Sequence, residues 1–199
     1  MVMYFKVRGA SYFPEVNQRG IFIHIPKVAG TSICRALGNY APRMILQHGT
    51  ASFVRQILGE NEWKRFFSFA FVRNPWERHV SWYLYCKKEF GVTCNFTQYI
   101  EQNITLIVPV MSIDVITSGY WSQQLYVEQD GKQVVDFVGR FEHLKEDFEY
   151  VCSQLGVKAE LTHSNKSPEY NYREFYTDKT AEILADRCKW EINKFGYKF

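Results

Sequence analysis

The stretch from Ile21 to Ile33 constrains the fold of this chain more than any other part of the sequence. Its first five residues are apolar apart from one histidine, which predicts a buried strand that ends at Pro26. Ile33, Leu37 and Tyr40 then recur at helical spacing, which predicts a helix with a core-facing stripe. Because strand and helix follow one another so closely, several backbone N–H groups at the helix start are left unpaired.

The turn between this strand and helix has the composition of an anion site. Anions bind at helix starts because the unpaired N–H groups lie at the positive end of the helix dipole. Lys27 adds a mobile positive charge, Gly30 loosens the backbone, and Thr31 and Ser32 add hydroxyl donors. The ATP-binding pattern GxxxxGK[ST] has its lysine directly before the hydroxyl residue, whereas Lys27 precedes Gly30. The turn is therefore predicted to hold a phosphate in a different way from an ATP-binding loop.

A second unit of the same kind follows. Phe67–Val72 predicts a fully buried strand, Asn74 can cap the next helix, and Pro75 suits the first helical position. Arg73 lies at the carboxyl end of the strand, where ligands of parallel sheets bind, and Ser81 follows about two turns along the helix. Arg73 is therefore predicted to meet the same ligand as the lysine of the first turn, with its fork on a second phosphate.

Strands that alternate with helices indicate a parallel sheet covered on both faces. Arg78, within the second unit, is interpreted equally well as a surface charge. The patterns predict these further elements: a strand at 44–47, a helix capped by Thr50, extended pieces at 118–127 and 134–141 around an Asp130-Gly131 turn, and helices at 144–155 and 177–196.

The two units together resemble a known enzyme family. The order Pro-Lys-x-x-Gly-Thr-Ser after a strand resembles the 5′-phosphosulfate loop of sulfotransferases, in the group that includes the heparan sulfate 2-O-sulfotransferases and small bacterial and viral relatives. The pattern Arg-Asn-Pro-x-x-Arg-x-x-Ser-x-Tyr resembles the 3′-phosphate motif of the same enzymes. The run Val-Gly-Arg-Phe-Glu-His-Leu-x-x-Asp-Phe, at 138–148, is also typical of the bacterial relatives. The resemblance extends from about Ile21 to the C-terminus.

The resemblance implies a P-loop-like three-layer α/β/α sandwich with a central, mainly parallel sheet. It also implies 3′-phosphoadenosine 5′-phosphosulfate (PAPS) as donor, 3′,5′-adenosine bisphosphate (PAP) as product, and no metal. Lys27 would neutralise the leaving phosphate, and Arg73 and Ser81 would hold the 3′-phosphate. The polar loop 162–171 contains Lys166 and Ser167 as candidates to close over the donor. The predicted donor-binding residues are Lys27, Ala29, Gly30, Thr31, Ser32, Arg73, Ser81, Lys166 and Ser167.

The acceptor, a hydroxyl or amine of a carbohydrate or small molecule, must lose a proton. A histidine has a suitable pKa for a base near neutrality, and His48 is the candidate. It begins a segment similar to the His-Gly-His segment of the 2-O-sulfotransferases, but Thr50 stands where those enzymes have their principal base. His24, inside the first predicted strand, is interpreted as a core histidine.

Length, net charge and cysteine count limit the classes of protein to which this chain can belong. The 199 residues suit a single domain, with residues 1–20 as an N-terminal extension. A net charge of +3 gives no case for nucleic-acid or membrane binding, and five scattered cysteines indicate neither a zinc site nor a disulfide framework. With no signal peptide or membrane-length apolar run, the expected location is the cytoplasm, or the Golgi lumen if the sequence is a piece of an anchored animal enzyme. The oligomeric state is left open.

Two other classes of protein share these features. A P-loop kinase-like phosphotransferase would have the same sheet and anion loop, but it needs a magnesium ligand and the other lysine position. A non-catalytic module that binds adenosine bisphosphate would keep Lys27, Arg73 and Ser81 and tolerate the loss of His48. Titration with PAP against ATP separates the first alternative from a sulfotransferase, and a sulfate-transfer assay separates the second.

Overall fold

The computed structural model describes residues 20–38, 48–104, 121–161 and 170–199. The strands in these ranges are β1 (Gly20–Ile23), β2 (Phe67–Val72), β3 (Glu128–Gln129), β4 (Lys132–Gln133) and β5 (Phe137–Arg140). The helices are α1 (Gly30–Ala36), α2 (Ala51–Leu58), α3 (Glu60–Trp63), α4 (Pro75–Phe90), α5 (Phe96–Glu101), α6 (Gln124–Val127), α7 (Leu144–Leu155), α8 (Asp178–Arg187) and α9 (Lys189–Phe195), with 3₁₀ turns at Phe141–His143 and Tyr172–Phe175.

Within the described ranges, three strands form a parallel sheet in the order β1-β2-β5. Ile23 is in register with Ala70, and Val72 is in register with Arg140. Both faces of β1 are buried, and so are nearly all residues of β2, which explains why these strands are continuous apolar runs. The molecule is therefore a mixed α/β protein with a central parallel sheet between helices, as the alternating pattern predicts.

The second sheet is a hairpin of β3 and β4 that turns at Asp130 and Gly131. Their φ angles are 51° and 73°, which two-residue turns of this kind require. The predicted Asp-Gly turn is confirmed, and the strands that it joins form a sheet separate from the parallel one.

Side-chain caps begin the helices at the predicted residues. Thr50 accepts from the N–H of Phe53 at 3.2 Å at the start of α2. Asn74 accepts from the N–H groups of Trp76 and Glu77 at 3.0 and 3.3 Å, so the start of α4 directly follows β2. Thr177 and Thr180 cap α8 reciprocally. The first turn of α4 therefore lies at the carboxyl edge of the parallel sheet, with only Arg73 and Asn74 between it and the end of β2 at Val72.

Several predicted elements differ from the structure. Within the piece predicted to be extended, residues 124–127 form the helical turn α6. The C-terminal helix is broken at Cys188 into α8 and α9, and α1 ends at Ala36. The strand predicted at 44–47 lies outside the described residues, and so do residues 1–19 of the extension predicted at 1–20. Gly20, its last residue, begins β1.

The five cysteines are free thiols. Across the described ranges, no helix has both the length and the apolar character that crossing a membrane requires.

Candidate functional site

The turn after β1 has an unusual backbone at two residues. Lys27 and Ala29 have φ angles of 68° and 57°, in the left-handed region that costs non-glycine residues about 1–3 kcal/mol each. The prediction that Gly30 loosens the backbone of the turn is wrong. Gly30 is the first residue of α1 and does not have a left-handed backbone. A Cβ at Gly30 would lie 1.7 Å from Nε2 of His24. Gly30 is thus needed because the imidazole of His24 packs directly on its backbone.

Lys27 lies partly buried within the site. Its Nζ is 4.4 Å from the centroid of the Tyr85 ring in α4, a cation–π contact. Burial lowers the pKa of Lys27, and the positive charge of Arg73 lowers it further. Both effects disfavour the ammonium form, so an anion arriving here would stabilise it.

Arg73 brings the two predicted motifs together. Its Nη1 donates to the backbone carbonyl oxygen of Lys27 at 3.2 Å. Its Nη2 donates to Oε1 of Glu77 at 2.5 Å, and the guanidinium lies 4.1 Å from the centroid of the Phe141 ring. Arg73 is only 5% exposed, and among the described residues its buried Nε has no hydrogen-bond partner. Within the described part of the chain, the Nε–H of Arg73 is therefore a buried donor that no protein group uses.

Ser81 and Tyr170 enclose the same region. Ser81 is buried in α4, two turns beyond Arg73. The hydroxyl of Tyr170 is buried, and within the described ranges it meets no partner at hydrogen-bonding geometry. Burial raises the pKa of Tyr170, whereas the charge of Arg73 and the nearby hydroxyl of Ser81 oppose that effect. Arg73, Ser81 and Tyr170 therefore place three kinds of donor near one another.

His48 lies at the same edge of the sheet and is oriented by a backbone group. Its Nδ1 is 2.9 Å from the carbonyl oxygen of His24, which only an N–H can donate to. The remaining nitrogen, Nε2, is therefore unprotonated in the neutral ring. Burial lowers the pKa of His48, and the charge of Lys27 lowers it further. The hydrogen bond to the His24 carbonyl oxygen raises this pKa but does not offset the burial. The ring centroids of His24 and His48 are 4.4 Å apart.

A family model described as the sulfotransferase family matches residues 15–194. This match covers most of the chain, both strand–turn–helix units included. The chain belongs to the sulfotransferase family.

Two further proteins resemble this sulfotransferase. An uncharacterised protein of Archaeoglobus fulgidus is 29% identical over 125 residues, which are 62% of this chain and 96% of the relative. A crystal structure of a sulfotransferase from Alicyclobacillus acidocaldarius aligns with 91% of this chain and 96% of its own, at 12% identity and a TM-score of 0.46.

The predicted site residues of this sulfotransferase fall into three groups. Lys27 and Arg73 are joined by a hydrogen bond, His48 and Lys27 are near enough to interact electrostatically, and Ser81 is close to Tyr170 beside Arg73. Lys166 and Ser167 lie outside the described residues. The remaining predicted ligands lie in the turn and at the start of α1: Ala29, Gly30, Thr31 and Ser32.

Sequence reasoning missed several residues of the site and left open whether Arg78 is a surface charge. Arg78 is fully buried, not a surface charge, because its Nη2 donates to the carbonyl oxygen of Trp121 at 2.6 Å. A spacing of four residues could have indicated the Arg73–Glu77 ion pair. No local pattern identifies the other contacts. Gln123 and Tyr170 approach Arg73 from distant parts of the chain, and Tyr85 reaches Lys27 from α4. His24, interpreted as a core histidine, packs on the backbone of Gly30.

The family generally uses PAPS. Within the described residues, no three histidine, cysteine, aspartate or glutamate side chains come close enough together to hold a metal ion.

Proposed function

We propose that this sulfotransferase moves a sulfuryl group from PAPS to a hydroxyl or amine of a carbohydrate or small-molecule acceptor. The observation that carries the proposal is the hydrogen bond from the Arg73 guanidinium to the Lys27 carbonyl oxygen. The two motifs, 46 residues apart in sequence, therefore lie side by side at one edge of the sheet. PAPS carries a 5′-phosphosulfate and a 3′-phosphate, so it needs two anion sites that one nucleotide can span.

The donor would be held at both ends by groups of this edge. The turn residues Ala29 and Gly30 would present backbone N–H groups to the 5′-phosphate, with the hydroxyl groups of Thr31 and Ser32 beside them. Arg73 and Ser81 would hold the 3′-phosphate. The buried, unpartnered Nε of Arg73 supports this role among the described residues, since an unmade buried hydrogen bond costs about 1–3 kcal/mol. Lys166 and Ser167 remain proposed ligands of the same donor.

The chain's own residues supply charge stabilisation and a base. The acceptor oxygen or nitrogen bonds to sulfur as the bond between sulfur and the bridging phosphate oxygen breaks, and the electron pair stays on the phosphate, giving PAP. Lys27 would neutralise the charge that develops on that bridging oxygen. Nε2 of His48 would take the acceptor's proton, because the bond from Nδ1 to the His24 carbonyl leaves Nε2 as the basic nitrogen.

A binding and transfer experiment tests this function. The wild-type protein is titrated with PAP, ATP and 5′-AMP by calorimetry, and ³⁵S transfer from labelled PAPS is followed over a panel of sugars, phenols and amines. We expect PAP to bind more tightly than either of the other nucleotides and at least one acceptor to be labelled. Preference for ATP would favour the kinase-like alternative, and PAP binding without transfer to any acceptor would favour the non-catalytic module.

A further inference from the structure

A fully buried glutamine holds the backbone of Arg73 from outside both motifs. Oε1 of Gln123 accepts from the N–H of Arg73 at 2.9 Å, and Nε2 of Gln123 donates to the carbonyl oxygen of Arg73 at 2.8 Å. Gln123 itself is 0% exposed. Its side-chain amide thus pairs with Arg73 as a neighbouring strand would, one residue beyond the end of β2.

The glutamine is in turn fixed by the C-terminal helices and by α4. The N–H of Gln123 donates to Oε1 of Glu191, a completely buried carboxylate in α9. Two residues earlier, the carbonyl oxygen of Trp121 accepts from Nη2 of Arg78 at 2.6 Å and from the thiol of Cys188 at 3.5 Å. Hydrogen bonds from α4 and from the C-terminal helices therefore fix the backbone of residues 121–123. The side chain of Gln123 in turn fixes the backbone of Arg73.

We propose that Gln123 is a positioning residue that aims Arg73 at the 3′-phosphate of the donor, and that Glu191 keeps Gln123 in place. The inference rests on the proposed use of PAPS. An arginine fork binds phosphate well only in a defined orientation, and a displacement of about 1 Å can cost on the order of 10²-fold. An apolar side chain at position 123 would leave the buried N–H and C=O of Arg73 without this partner and free Arg73 to shift.

The test compares two nucleotides that differ only in the 3′-phosphate. Gln123→Met keeps the length of the side chain and removes both hydrogen bonds. We expect it to weaken PAP binding roughly tenfold or more and to leave 5′-AMP binding unchanged. In the transfer assay, the KM for PAPS rises while kcat at saturating donor changes less. Gln124→Met is the matched control, since the Gln124 amide bonds to Glu128 instead, at 2.8 Å, and both affinities should stay as in wild type.

The outcomes separate this inference from the proposed function. If the wild-type protein does not prefer PAP over 5′-AMP, the proposed function itself is wrong. If wild type has that preference and Gln123→Met keeps it, either with unchanged affinities or with an equal loss of both, then Gln123 has only a structural role. Gln123→Asn, which keeps the amide but is one methylene too short to bridge both groups, is measured in the same way if the methionine variant does not fold.

Discussion

At the scale of single residues, Lys27 combines a strained backbone with a partly buried charge. Its φ of 68° is no more favourable for alanine than for lysine, so Lys27→Ala changes the side chain without changing the strain. We expect kcat for sulfate transfer to fall roughly 10²–10³-fold, because the proposed role of Lys27 is to neutralise the charge on the leaving phosphate. Steady-state kinetics with labelled PAPS measure the change.

A lysine outside the site provides the control for Lys27. Lys64 pairs with Glu60 on the surface, and its side chain is 70% exposed. Lys64→Ala should leave kcat within about a factor of two. Lys64 lies outside the site, and the loss of an exposed ion pair changes the stability of the fold little. Equal rates for Lys27→Ala and wild type would remove Lys27 from the mechanism.

Arg73 is expected to act on donor binding more than on the rate of transfer. Arg73→Lys keeps the positive charge but loses the planar fork that reaches both the Lys27 carbonyl oxygen and Glu77. We expect the dissociation constant of PAP to rise about tenfold or more, with a smaller change in kcat at saturating PAPS. Calorimetry measures the first quantity, and an unaltered PAP affinity would contradict the assignment of the 3′-phosphate to Arg73.

The pKa of His48 predicts the pH dependence of transfer. Burial lowers this pKa below the usual 6.5, so the neutral, basic form persists into more acidic solution than for a free imidazole. If His48 takes the acceptor's proton, kcat should stay level from neutral pH to below pH 6.5 and fall only at lower pH. His48→Gln should lower kcat and abolish this acid limb, whereas the exposed His143→Gln should keep the wild-type profile. A profile that His48→Gln leaves unchanged would show that another group is the base.

At the scale of secondary-structure elements, the start of α8 depends on a reciprocal cap. The hydroxyl of Thr177 accepts from the N–H of Thr180 at 3.2 Å, and the hydroxyl of Thr180 accepts from the N–H of Thr177 at 2.9 Å. Thr177→Ala should cost about 1 kcal/mol and lower the Tm by roughly 2–4 °C, with little effect on transfer. Thr177→Ser keeps the hydroxyl and should melt near wild type, so an equal loss of Tm in both variants would rule out the cap as the cause.

The elements that local chemistry determines were predictable from the sequence. The run Phe67–Val72 has the bounds of β2, and Asn74 with Pro75 starts α4, because a buried apolar run and a cap act over a few residues. The meeting of Lys27 and Arg73 follows from the parallel order of their strands, since the carboxyl ends of parallel strands share one edge.

The elements that distant contacts determine were not predictable. Residues 124–127 form a helical turn after Gln123, whose N–H bonds to Glu191, 68 residues away. The final helix breaks at Cys188, whose thiol bonds to the carbonyl oxygen of Trp121, 67 residues away. The hold of Gln123 on Arg73 spans 50 residues. Periodicity and capping patterns carry no information about such pairs, because their partners are fixed only by the assembled fold.

At the scale of the whole molecule, burial of neutral histidines should make stability depend on pH. Burial and the neighbouring His48 lower the pKa of His24 to about 3, and burial lowers that of His79 well below its usual 6.5. An unfolded chain would bind protons at both residues below pH 6.5, whereas the folded protein would not. Stability is therefore fully present above pH 6.5 and is lost as the pH falls toward the folded-state pKa values. Glu191, whose pKa burial raises, opposes this trend with a single proton.

His48, whose pKa burial also lowers, adds to the effect of His24 and His79. The three histidines therefore outweigh the one carboxyl group between pH 6.5 and 5.5, and each net proton changes the free energy of unfolding by about 1.4 kcal/mol per pH unit. We expect the Tm to fall over this interval, measured by calorimetry in buffers of matched ionic strength. His24→Asn removes one of the titrating groups and should flatten the slope even if it lowers the Tm at neutral pH. His143→Asn, at an exposed position, should keep the wild-type slope. A Tm that is level from pH 6.5 to 5.5 in the wild-type protein would mean that the buried histidines accept protons in the folded state, and that the edge of the sheet around His24 opens to water.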